Sequence, residues 1–139
     1  MTSALITILS FIVTVGVLVV IHELGHYAAA RASGVKILRF SVGFGRNLWM
    51  RKLGADQTEW VLSAVPLGGY VKMLDSREGE VRVAERDRAF DHKSVAARIA
   101  IVLAGPFANF LLALLLYWVL FVAGLPGLKP IVAAPPANT

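Results

Sequence analysis

Residues 19–30, VVIHELGHYAAA, place two histidines and a glutamate at the end of a long apolar run. Residues 1–21 carry no charged side chain and no histidine, enough to cross a bilayer core, which takes about 20 residues of helix. A charge at the bilayer centre costs roughly 2.5–3.5 kcal/mol on insertion scales. Ionisable residues at such a depth therefore point to function. The pattern is H-E-x-x-H, formed by His22, Glu23 and His26. Positions i and i+4 share a helix face, so both imidazoles can reach one metal ion. Glu23 lies about 100° round the helix from His22 and is free of the ligand positions. Zinc held this way activates a water molecule, and a carboxylate beside it can take the proton. The spacing suits peptide hydrolysis without a covalent intermediate. Interfacial, hydrogen-bonded histidines are the plainer reading, and the membrane context weighs against it.

A second apolar run lies outward along the chain. Residues 99–128 again lack charged residues and histidine. The expected fold is a mainly α membrane protein, with two transmembrane helices flanking a membrane-associated re-entrant β region. The 139-residue chain is 57% hydrophobic, above the roughly 45–50% of soluble domains. A cleaved signal peptide fits the first run poorly, since no basic residue precedes it and it exceeds the usual apolar core of such peptides. The formal charge is +5, but nucleic acid is not the expected partner. Thirteen of the fourteen Lys and Arg residues fall between Arg31 and Arg98, which places that segment on the cytoplasmic side under the positive-inside rule. The expected location is a membrane crossed by both helices, with the residues between them on the cytoplasmic side. The absence of cysteine excludes disulfides and thiolate metal sites.

Between the spans, the stretch from Gly34 to Gly45 reads as a strand closed by Gly43 and Gly45. Residues 58–74 read as a strand, a turn at Pro66-Leu67-Gly68-Gly69 and a second short strand. Backbone of this kind is tolerated at membrane depth only inside protein or beside water. Residues 75–93 mix both charge signs and read as a solvated loop. Ser94 caps the second helix, and Gly105-Pro106 implies a kink or restart. Four of six prolines lie in the last fourteen residues, so the tail reads as extended. The expected units are 1–31, 32–74, 75–93, 94–124 and 125–139. Within AGPFANF, Asn109 puts one amide into the second apolar run. Spacing alone leaves helix packing and substrate contact equally open. A metal transporter would need several polar groups along the spans, and these spans offer few.

HELGH, FSVGFG, VPLGGYVKMLD, FDHKSVAARIAIVLAGPFANF and GLPG together resemble the site-2 protease family of intramembrane zinc metalloproteases, over nearly the whole chain. The resemblance implies a Zn2+ cofactor, His22 and His26 as ligands and Glu23 as general base. It implies a re-entrant β region around residues 40–45 and 61–73 that holds the substrate's membrane segment extended, by strand addition. Gly68 and Gly69 in that region, and Gly105, Pro106 and Asn109 in a G-P-x-x-N motif, would then contact substrate. The implied substrates are single-pass membrane proteins already trimmed on the far side, such as an anti-sigma factor or signal-peptide remnants. The family's third ligand is an aspartate in an L-D-G motif on a later helix. Leu74-Asp75 is followed by Ser76 and matches the β region, so Asp75 is not that ligand. The tail resembles the start of a periplasmic PDZ region. The chain alone is expected to cleave little and bind metal weakly, with another chain or segment supplying the third ligand. A truncated, non-catalytic membrane module is the alternative.

Overall fold

The structure is a computed structural model that describes residues 2–124. The tail and its expected PDZ start lie outside the described residues. Helix α1 covers Thr2–Ala32. Leu5, Ile8 and Phe11 on its first turns are each more than half exposed, and the helix is long and apolar enough to cross a membrane. Burial begins in the second half, where α1 meets the rest of the chain. The basic Arg31 in its last turn complements the helix dipole.

Strands β1 (Ile37–Leu53) and β2 (Thr58–Met73) form one two-stranded sheet. Their register folds it into four stretches. Residues 47–53 pair with 58–63, residues 39–42 lie on the other side of 59–62, and 37–42 also pair with 69–73. Stretches 47–53 and 69–73 are therefore the two edges. The expected end of the first strand at Gly43 and Gly45 is corrected: β1 runs on through both. Gly43 has φ +87°, and a Cβ there would lie 2.8 Å from the Val65 carbonyl oxygen. Glycine thus bends the strand without ending it. The expected turn at residues 66–69 is likewise a bend inside β2, with Gly68 at φ +140°.

An aromatic triad fixes the sheet to α1. Tyr27 and Trp60 have ring centroids 5.2 Å apart, and Phe40 and Trp60 4.6 Å, within the range where aromatic pairs attract. Ala30, Val35, Ile37 and Ile101 form the buried core at the same level, with Val71, Met73 and Phe90 packed against it.

Residues 75–93 are more than a solvated loop. They contain 3-10 helices at Val83–Arg88 and Phe90–His92, and Ala89 is fully buried. Lys36 N–H donates to the Arg88 carbonyl (2.9 Å), and Phe90 N–H to that of Leu74 (2.7 Å). Arg88 meets Asp56 at 2.7 Å and Lys36 meets Glu85 at 2.5 Å. Charge pairing across segments fastens the loop beneath the sheet, a long-range effect that local composition does not reveal.

Helix α2 covers Val95–Ala123. The Ser94 hydroxyl accepts from the Ala97 N–H (3.3 Å), an N-cap. The helix does not restart at Gly105-Pro106. Pro106 sits inside it, and its ring is exposed. Proline forfeits one backbone hydrogen bond, a loss that membrane helices tolerate.

Candidate metal centre

Helices α1 and α2 come close together where side chains are small. A Cβ on Gly25 would lie 2.8 Å from the Ala108 Cβ and would also strike the Ala104 carbonyl. Small residues let membrane helices close up in this way. The approach brings the histidine face of α1 against one face of α2, made by Ile101, Gly105 and Asn109 at four-residue intervals.

His22 and His26 turn their Nε2 atoms toward each other, 3.2 Å apart. Two nitrogens bound at 2.0–2.1 Å to a tetrahedral zinc must sit about 3.3 Å apart. The pair fits zinc on that measure. It fits on a second one too: a Cβ on Gly105 would lie 2.7 Å from His22 Nε2 and closer still to His26 Nε2. The absent side chain at residue 105 leaves the space into which both nitrogens point. His26 Nδ1 lies 2.7 Å from the Ile101 carbonyl oxygen. A carbonyl only accepts, so Nδ1 carries the proton, and Nε2 of the neutral ring keeps its lone pair for a metal. Asn109 Nδ2 lies 3.4 Å from His22 Nδ1.

Glu23 leaves α1 on the sheet side. It is 8% exposed, and a Cβ on Gly69 would lie 2.8 Å from its Cγ. The glutamate therefore sits between the histidines and the edge stretch 69–73. A cleft of about 220 Å³ runs beside His26, lined by Val71, Met73, Phe90, Ile101 and Val102. It lies between that edge and α2.

Of the other residues singled out from sequence, Gly68 faces the Phe44 ring. Pro106 is exposed. Asp75 is held by Arg77, whose Nη2 lies 2.5 Å from Oδ2. That hydrogen bond lowers the carboxyl pKa to about 2. Among the described residues, no group of three or more His, Cys, Asp or Glu side chains is placed to hold a metal. Two contributors escaped the sequence reading. The Ile101 carbonyl has no side-chain signature. Gly25, inside HELGH, was legible only as a spacer, although a glycine within an apolar helix is itself a sign of close approach.

Comparison with known proteins adds the family context. Residues 10–136 match the family described as Peptidase family M50. The chain is 50% identical over 141 residues to the regulator of sigma-E protease RseP of Escherichia coli K12, an alignment that covers all of the chain and 31% of that protein. It is 63% identical over 113 residues to a protein of Xylella fastidiosa Temecula1 named as a candidate zinc metalloprotease, covering 81% of the chain and 25% of the relative. A similarly named protein of Vibrio cholerae is 48% identical over 132 residues, 95% of the chain and 29% of the relative. The chain thus spans between a quarter and a third of the length of these relatives.

Proposed function

The chain belongs to peptidase family M50, and from that membership we propose that it forms the N-terminal part of a membrane-embedded zinc endopeptidase. The observation that carries the reading is the convergence of His22 and His26 Nε2 over Gly105, with Glu23 on the adjacent face of the same helix. His22 and His26 hold the metal, and a third ligand comes from outside the described residues, because catalytic zinc usually has three protein ligands. Bound zinc would polarise the scissile carbonyl and acidify a water molecule. Glu23 would serve as the general base, accepting a proton from the attacking water and passing it to the leaving amine. Its near-complete burial keeps competing solvent from the carboxylate.

The substrate is a transmembrane segment in extended form. A helical peptide bond is shielded by its own hydrogen bonding, and stretch 69–73 is a sheet edge next to Glu23 that pairs with no further strand among the described residues. Adding the substrate as a strand there unwinds it and brings its backbone to the carboxylate. Its class is single-pass membrane proteins trimmed beforehand on the far side, including an anti-sigma factor or signal-peptide remnants, as in regulated intramembrane proteolysis. The Arg- and Lys-rich stretch between α1 and α2 supports placing it on the cytoplasmic side of the inner membrane, with both helices spanning.

The test is Glu23→Gln in the full-length protein, assayed on a tagged single-pass substrate in membranes. The variant removes the proton acceptor while leaving both histidines. Cleavage falls at least about 100-fold if Glu23 is the general base. Cleavage at the wild-type rate overturns the reading.

A further inference from the structure

The two imidazoles, the Ile101 carbonyl and the Asn109 amide form one directed chain. His26 Nδ1–H donates to Ile101 O at 2.7 Å. The lone pair of His26 Nε2 then accepts from His22 Nε2–H at 3.2 Å. A neutral His22 protonated on Nε2 has a lone pair on Nδ1, which accepts from Asn109 Nδ2–H at 3.4 Å. With both rings neutral, every proton in the chain is accounted for. One group is not: Asn109 Oδ1 is buried and has no hydrogen-bond partner among the described residues.

This arrangement suits His26 to a metal and leaves His22 in the opposite tautomer. For His22 Nε2 to donate a lone pair beside His26 Nε2, its proton must move to Nδ1. There it faces the amide N–H2 of Asn109, donor against donor. The two ends of a carboxamide are nearly isosteric. Turning the Asn109 amide over brings Oδ1, the unsatisfied acceptor, onto His22 Nδ1–H. Resting on the assignment of His22 and His26 as ligands, we propose that Asn109 is a positioning residue that selects the tautomer of His22, with its amide reversed when the site is loaded. α2 then orients both ligands from behind: the Ile101 carbonyl fixes His26, and the Asn109 side-chain oxygen fixes His22, on either side of Gly105. This role is distinct from substrate contact, since it acts before any substrate arrives.

The experiment measures zinc affinity of the full-length protein in detergent, by chelator competition and without substrate, for the wild type, Asn109→Leu and Asn109→Asp. Loss of such an outer partner typically costs 10–100-fold in metal affinity. Asn109→Leu is therefore expected to weaken zinc binding by that factor. Asn109→Asp, whose carboxylate is an obligate acceptor for Nδ1–H, is expected to retain or tighten it. Nitrogen-15 shifts of the zinc-loaded wild type should place the His22 proton on Nδ1. Unchanged affinity in Asn109→Leu overturns the proposal, as does an Asn109→Asp protein that folds but binds zinc as poorly as Asn109→Leu. A His22→Ala control separates the two levels of argument. Zinc binding indifferent to His22 overturns the ligand assignment itself. Binding that needs His22 but ignores residue 109 overturns the positioning role alone.

Discussion

Gly105→Ala is the sharpest perturbation of the proposed centre, because it adds one methyl group where the two imidazoles point. The new Cβ would lie 2.7 Å from both His22 Nε2 and His26 Cε1. Optimal separation begins near 3.5 Å, so the overlap is about 0.8 Å at His22 and larger at His26, whose Nε2 lies nearer still. Helix α2 cannot yield easily, since Gly25 already holds Ala104 and Ala108 against α1. The rings must move, and a site about 1 Å out of place loses roughly 100-fold in rate. The substitution does not weaken the helix, because alanine is favoured over glycine there by about 1 kcal/mol. Overpacking against the rings costs about 1–3 kcal/mol, which that preference offsets in part, so the full-length Gly105→Ala protein should fold with thermal stability near or modestly below wild type, carry little zinc by elemental analysis, and cleave a model membrane substrate at least about 100-fold more slowly. A variant that keeps stoichiometric zinc and cleaves within about threefold of wild type would refute the placement of the metal over Gly105.

Two other substitutions probe different links. Gly25→Val should prise α1 from α2 and destabilise the protein by about 1–3 kcal/mol, the usual cost of overpacking. The loss would appear as a lower melting temperature in detergent; an unchanged value would show that the helices do not meet there. Asp75 and Asp56 supply a pH test outside the spans. Their carboxyls are held below the usual range by hydrogen bonds from Arg77 and Arg88, Asp75 at about 2. A depressed carboxyl pKa contributes stability that is complete above the unfolded value of about 3.9 and fades as pH falls through the folded value. Protection of the segment at 75–93 against hydrogen exchange should hold from neutrality to about pH 4 and decline toward pH 2; full protection at pH 2 would count against these pairs.

The two long apolar helices, the placing of His22 and His26 on one helix face and the cap at Ser94 were legible from residues alone. Each is a local pattern, set by apolar length, by i and i+4 spacing, or by a hydroxyl ahead of a helix. The glycines of the β region misled for a related reason. Glycine signals a break locally, yet Gly43 and Gly68 serve to bend strands that neighbouring stretches keep paired. The loop at 75–93 looked solvated because its charges find partners, such as Asp56 and Lys36, that are distant in sequence.

Which atoms face the two Nε2 groups depended on tertiary packing. Chain spacing puts both histidines on one side of α1, but it cannot say that α2 lies there with a bare Gly105, a carbonyl at Ile101 and an amide at Asn109. That juxtaposition follows from a helix crossing set by Gly25 and two alanines some eighty residues away. The residue types of the proposed ligands were therefore written along the chain, whereas the cradle around them and the hydrogen bonds that orient them exist only where two apolar helices come close enough to touch.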